Sequence, residues 1–149
     1  MRSRAVATGY QPIPSARLAD GVFRTSDLGQ VEDGHVYLRG RVSDQINVAG
    51  RKVSPEGIER VLAEHQGVRE CLVFGVPAGE SERGETIVAC VALNSEGEGV
   101  TEELKQHLIS RLPAWQVPRK WWIVPSLQFT GRGKISRLQL RKEFQDLNP

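Results

Sequence analysis

The strongest constraint on the fold is a pair of Val- and Ile-rich runs, Val68–Val76 and Glu85–Leu93, joined by the short polar loop Pro77–Gly84. Such residues suit a pleated, packed surface, and the short connection makes the runs two strands of one sheet. A third apolar run, Lys120–Val124, contains Trp121 and Trp122 and reads as another strand. Helical signals alternate with them. Ser54-Pro55-Glu56 opens a helix with a capping serine, a proline at the first helical position and an acid at the positive end of the dipole. Ile58, Val61 and Leu62 form its apolar face, and Gly67 is expected to end it as a left-handed cap. Gly57, inside the first turn, is a local conflict costing up to about 1 kcal/mol relative to alanine. Thr101 is expected to cap a second helix, with Leu104, Leu108 and Leu112 in line and Pro113 as its stop. Ser136 and Gln139 form a capping-box pattern for a last helix with Leu140, Phe144 and Leu147 inward.

Upstream, Asp33-Gly34 marks a hairpin turn between Gln30-Val31 and Val36-Tyr37-Leu38, and Gln45–Val48 reads as a further strand. The order of elements predicts an α+β fold: a small β-hairpin followed by a three-stranded mixed sheet flanked by helices.

With 39% hydrophobic and 26% charged residues over 149 positions, the chain can bury a core without disulfides or metals. Cys71 and Cys90 lie within apolar runs and read as small buried hydrophobes of a reducing compartment. No apolar run reaches the roughly 18 residues a membrane span needs. The first residues lack the apolar stretch of a secretory signal, so a cytoplasmic location is expected. The net charge of +2 conceals an asymmetry: Pro77–Glu103 carries seven acids and one base, whereas Leu104–Lys142 carries nine Lys and Arg and no acid. That stretch is either a solvated basic face or a surface that meets phosphates, and charge alone does not choose among nucleic acid, nucleotide and CoA. No aromatic platform alternates with the bases, so nucleic acid is not the expected partner.

Four motifs follow one another along the chain. They are Phe23-Arg24-Thr25-Ser26-Asp27-Leu28-Gly29, the long stretch from Gly40-Arg41 to Ile58-Glu59, Leu112–Arg119, and Leu127–Arg137 with Gly131-Arg132-Gly133-Lys134 at its centre. In that order and at that spacing they resemble the C-terminal part of the adenylate-forming (AMP-binding) superfamily of acyl-CoA synthetases, carrier-protein-loading adenylation domains and luciferases. The resemblance covers nearly the whole chain. It implies that residues 1–42 are the end of a large N-terminal adenylation domain and residues 43–149 the C-terminal lid domain. It also implies a parent ligase, with links to fatty acid metabolism, that turns a carboxylic acid and ATP into an acyl-adenylate. The acyl group then passes to CoA or another pantetheine thiol. ATP, AMP and CoA are implied as substrates, with Mg2+ in the parent enzyme.

The same resemblance assigns residues. Asp27 is implied to bind the ribose diol of ATP and AMP, which a carboxylate can do through two accepted hydrogen bonds; on its own it reads as a turn aspartate. Arg41 is implied to contact the nucleotide, against an alternative as a surface ion pair worth about 0–1 kcal/mol. Lys134 is implied to be the catalytic cation. A positive charge there stabilises the charge that develops on the α-phosphate and the departing pyrophosphate. The Gly133-Lys134 pair is not a P-loop, since Ile135 follows it and Gln128 stands where that motif needs glycine. Gly50 is implied to line the pantetheine tunnel, with Arg51 and Lys52 near CoA phosphates, although all three also suit a tight turn before a helix. Ser43 aligns with the hinge about which the lid turns between half-reactions, where family members often carry Asp or Lys. Ser26, Gly57, Gln116 and Gln128 also depart from the usual pattern. No metal ligand is expected in this chain.

The superfamily's phosphate loop, its aromatic-Gly-x-Thr-Glu motif and its acyl pocket are absent from the sequence. The full reaction is therefore expected to need the large adenylation domain, in cis or in trans, with an acyl carrier protein as an alternative thiol donor. The competing reading is a non-catalytic stand-alone lid or interaction module that docks on a separate adenylation subunit.

Overall fold

A computed structural model describes residues 18–19, 22–79, 84–95, 97, 99–127 and 136–148. The chain divides into two compact units, Met1–Ser43 and Asp44–Pro149.

In the first unit, the two-residue strands β1 (Leu18–Ala19) and β2 (Val22–Phe23) pair antiparallel, and β3 (Asp27–Glu32) pairs antiparallel with β4 (His35–Arg41). Asp33 (φ 48°) and Gly34 (φ 77°) both take the left-handed conformation that a tight two-residue hairpin turn demands. The turn signal in the sequence is therefore met, and a one-residue register shift between Leu28 and Gly29, beyond the turn, places Asp27 opposite Arg41. Val31 and Leu38 are 69% and 76% exposed.

The second unit begins with a feature the sequence reading missed. Its strand β5 (Ile46–Val48) is followed by β6 (Arg51–Val53), so residues 49–50 form a second hairpin turn, not the approach to a helix. Ala49 (φ 48°) and Gly50 (φ 87°) repeat the left-handed pair of the first turn. Arg51-Lys52-Val53 is too short and too charged to show a strand pattern, and only Val53 of the three is buried.

Helix α1 (Pro55–Ala63) leads into a mixed sheet in which β7 (Val68–Pro77) lies antiparallel to β8 (Glu85–Leu93), and β8 lies parallel to β9 (Lys120–Val124). Helix α2 (Val100–Ile109) lies in the crossover between the parallel strands, and α3 (Arg137–Leu147) ends the unit. This is the predicted α+β architecture. Alternate residues face opposite sides of the strands. Val73, Ile87, Ala89 and Val91 pack with Ile46, Val53, Ile58, Leu62, Leu104 and Leu108 from the hairpin, α1 and α2. Leu72, Phe74, Val76, Val88 and Cys90 pack with Leu127, Leu140 and Phe144 on the α3 side. Both faces of the sheet are covered, which explains why the strands read as nearly unbroken apolar runs.

The helix ends depart from expectation. Ser54 makes no side-chain cap; its Oγ donates to Glu56 Oε2 at 2.7 Å, while Pro55 does occupy the first turn. Gly67 is not left-handed. The helix ends at Glu64 through tight backbone bonds, Glu64 N–H to Val61 O and His65 N–H to Leu62 O. Thr101 lies inside α2, where Gly99 (φ 81°) takes the cap position and its carbonyl accepts from Glu102 and Glu103. Ser136 does cap α3, accepting from the Gln139 N–H at 3.3 Å, but the Gln139 side chain turns to Glu143 and leaves the box half made. Leu147 is 67% exposed, so the inner face of α3 is Leu140 and Phe144.

Candidate functional site

In the first unit, the two residues assigned to the nucleotide meet each other. Arg41 Nε donates to Asp27 Oδ1 at 3.0 Å, and the pair is largely exposed. The cross-strand register produces this contact, and an exposed pair of this kind is worth only about 0–1 kcal/mol. Rearranging around a ligand therefore costs little. Ser43 is exposed within a short 3-10 turn, Val42–Asp44, and the two compact units divide immediately after it.

In the second unit, Gly50 owes its identity to backbone conformation. An added Cβ meets nothing within 4 Å, but φ is +87°. The Asn47 side chain locks the turn by accepting the Gly50 N–H at 3.0 Å. Two contacts dock the hairpin on the sheet: the Asn47 N–H donates to Glu85 Oε2 at 2.9 Å, and Val48 bridges Gly84. At Gly84 (φ +100°) a Cβ would lie 2.4 Å from the Asn47 carbonyl oxygen, so only glycine permits this approach.

A cleft of about 430 Å³ opens beside the turn, lined by Val48, Ala49, Arg51, Glu85, Trp115 and Arg119 among others. The Arg51 guanidinium lies 5.2 Å from the Trp115 ring centroid, a cation–π distance. Lys52, next along β6, points to the other face of the hairpin and is not among the cleft's lining residues. Trp115 and Arg119 were not singled out from the sequence. The signal available was an aromatic and a base within Leu112–Arg119, but nothing in the spacing puts them beside Arg51.

A second cluster, also unforeseen, surrounds Arg137. Its guanidinium contacts Asp44 at 2.9 Å, Glu56 at 3.2 Å and Glu59 at 2.7 Å. Burial raises the Glu59 carboxyl above its ordinary range, and the bonds from Arg137 and the Val73 N–H only partly offset this. Burial opposes the Arg137 charge, yet Glu59, Glu56 and Asp44 together hold the guanidinium above its usual value. Burial likewise pushes the Cys71 and Cys90 thiols up to about 12, which leaves them poor nucleophiles. Lys134 lies outside the described residues. Among the described residues, no group of three or more His, Cys, Asp or Glu is placed to hold a metal, and no helix is long and apolar enough to cross a membrane.

A mixed three-stranded sheet, covered on both faces and preceded by a glycine-turn hairpin, defines a small α+β domain. The family model for the AMP-binding enzyme C-terminal domain matches residues 57–134, just over half of the chain, and the protein belongs to that family. The chain is 36% identical to an oxalate–CoA ligase of Arabidopsis thaliana over 97% of its own length and 28% of the relative's. It is 37% identical to a long-chain-fatty-acid–CoA ligase of Bacillus subtilis over 93% of its length and 25% of the relative's. Among solved structures, it resembles an o-succinylbenzoate CoA synthetase of Bacillus subtilis in complex with an acyl-adenylate (TM-score 0.77, 26% identity, 89% of this chain and 27% of that one). It also resembles a fatty acyl CoA synthetase of Mycobacterium tuberculosis (TM-score 0.70, 30% identity, 95% and 28%). The chain thus spans little more than a quarter of the length of the curated relatives it matches.

Proposed function

We propose that this chain is the lid portion of an ATP-dependent acid–thiol ligase, with residues 1–42 closing the adenylation domain and residues 43–149 forming the lid. The matched family, whose relatives are CoA ligases, carries this reading. In the first half-reaction the carboxylate attacks the α-phosphate of ATP and pyrophosphate leaves. Lys134 neutralises the charge gathering on those oxygens. Asp27 accepts hydrogen bonds from the ribose hydroxyls, and Arg41 swings from its weak pair to contact the nucleotide. In the second half-reaction the lid turns about Ser43, and the pantetheine thiol displaces AMP from the acyl carbon alongside the Gly50 turn. Mg2+ is expected on the ATP phosphates and the large domain, since the described residues offer it no cage.

The cleft beside Gly50 suits the nucleotide end of CoA. The Trp115 face can stack on adenine, while Arg51 and Arg119 meet phosphates. Arg51→Ala is expected to raise KM for CoA about tenfold, the loss of one charge-assisted hydrogen bond, while ATP–pyrophosphate exchange stays unchanged. A KM for CoA that does not move would remove Arg51 from the thiol-substrate site.

The function itself is tested by adding the chain to an adenylation domain that lacks its lid. Restored acyl-CoA formation supports a working catalytic subunit. Tight docking without restored thioester formation would establish the non-catalytic lid instead, and acylation of a carrier protein in preference to CoA would change the acceptor.

A further inference from the structure

The three-stranded sheet treats its two edges differently. At the outer edge of β7, side chains close the backbone: Glu59 Oε1 accepts the Val73 N–H at 2.8 Å, and Arg137 Nε donates to the Val73 carbonyl at 3.2 Å. That strand also carries Arg69, Glu70 and a register shift between Val68 and Glu70, features that guard an edge against pairing with another chain. The opposite edge, β9, pairs with β8 in unbroken register and bears a single charge, Lys120. The Arg119 N–H donates to the Ile87 carbonyl at 3.1 Å, so residues 119, 121 and 123 turn their backbone groups toward β8. By alternation, those of Lys120, Trp122 and Val124 turn away. Among the described residues, no strand or backbone group bonds them from the open side. Beyond Val124 the chain leaves this edge. The Pro125 carbonyl accepts from Arg69, and the Leu127 N–H donates to Glu70 Oε2 at 3.2 Å, both partners on β7.

The open edge is flanked by apolar hollows on its α2 side. One of about 510 Å³ is lined by Ile109, Val117 and Trp121 among others, and another of about 510 Å³ by Leu93, Val100 and Ile123 among others. Ile123 is 42% exposed. Lys120, Trp122 and Val124 face the α3 side, where Trp122 and Lys120 lie 5.7 and 5.9 Å from the Phe144 ring centroid.

The strand is complementary to itself. A second β9 laid antiparallel and centred on Trp122 sets Trp122 opposite Trp122, Lys120 opposite Val124 and Trp121 opposite Ile123. The outward backbone groups then meet as hydrogen-bonded pairs. Neither lysine faces the other, and Ile123 of each copy reaches the hollow beside Trp121 of its counterpart. The arrangement has two-fold symmetry and uses up both edges, so it stops at two copies.

We propose that β9 is a dimerisation edge, at which two copies of this chain pair antiparallel about Trp122 and join their sheets. The strand itself supplies five residues, against roughly 20 a side in a standard stable interface, so the dimer is weak, with a Kd on the order of 100 µM.

Sedimentation of the 149-residue chain from well below to well above that concentration is expected to show monomer giving way to dimer. Val124→Glu sets an acid opposite Lys120 of the second copy, twice per dimer, whereas Val124→Lys sets a like charge there. Both lose the same packing, so the Kd of the lysine variant should exceed that of the glutamate variant by about tenfold. Should either variant fail to fold, residue-resolved amide exchange on the unaltered chain decides. The Trp121 and Ile123 N–H groups are held by β8 at every concentration. Those of Lys120, Trp122 and Val124 should gain about fivefold protection once dimer dominates. A chain that stays monomeric, equal Kd values for the two variants, or protection that ignores concentration would each overturn the proposal. The exposed β3–β4 hairpin is the competing surface. Val31→Ser with Leu38→Ser is expected to leave the dimer intact, and loss of the dimer there would move self-association to that hairpin and remove β9 from it.

Discussion

Alanine at position 134 is expected to slow acyl-adenylate formation by about 10²–10³-fold in the complete ligase, the loss typical of one preorganised charge-stabilising donor. Thioester formation from preformed acyl-adenylate should change little, because that step no longer builds charge between the α- and β-phosphates. The expectation draws on how the other bases of the C-terminal stretch are employed. Arg137 is held by three carboxylates, Arg141 Nη1 lies 3.2 Å from Glu85, Arg111 lies 3.7 Å from Glu64, and Lys105 pairs with Glu102 at 3.4 Å. Lys120 sits 5.9 Å from the Phe144 ring centroid. Among the described residues, five bases of this run thus have an acid or a ring beside them, most of these partners far away in sequence. Single-turnover measurement of acyl-adenylate with and without the substitution checks the prediction. A rate within threefold of wild type would end Lys134's candidacy.

Much of the scaffold was legible because its signals are local or strongly periodic. Asp33-Gly34 specifies its turn by conformation alone. The sheet strands announce themselves because both faces are buried along their middle stretches, so the runs Cys71–Val76 and Ile87–Leu93 carry no charged residue. The cap residues at 54, 67 and 101 were less legible. Serine, glycine and threonine can each cap or do something else, and a neighbouring acid or glycine decided the outcome: Glu56 drew the Ser54 hydroxyl, and Gly99 displaced Thr101. The second hairpin was hidden because β6 exposes two charged residues of three. The Arg137 cluster was hidden for a different reason. Its partners lie 93, 81 and 78 positions away in sequence, at Asp44, Glu56 and Glu59, and charge type alone gives no means of pairing them across that distance. Arg51 and Trp115 meet across a similar gap. Motif resemblance located candidate chemistry, but the supporting contacts emerge only when the sheet closes.

Arg137→Met should destabilise the second unit by about 3 kcal/mol at neutral pH, at the lower end for breaking a buried ion pair because this one is partly hydrated. Methionine fills the space but strands Glu59 among Asp44, Glu56 and apolar surroundings. The pH dependence then separates charge from packing. Burial raises the Glu59 carboxyl above its unfolded value near 4.5, and the Arg137 bonds oppose that rise. Removing them raises it further. A raised folded-state value means the native form holds its proton more tightly, so the associated stability is present below pH 4.5 and is lost as pH climbs through the folded value. The deficit of the variant should therefore be smallest near pH 4.5 and grow toward pH 7. Urea unfolding at the two pH values measures it directly, and an equal deficit at both would assign the loss to packing. The double substitution Arg137→Met with Glu59→Gln should recover about 1–2 kcal/mol at pH 7, since the stranded charge goes and the amide oxygen can still accept the Val73 N–H. Recovery of that size would show that the arginine is required because the glutamate is buried. Failure to recover would place the requirement on Asp44 and Glu56, the two carboxylates nearer the solvent edge.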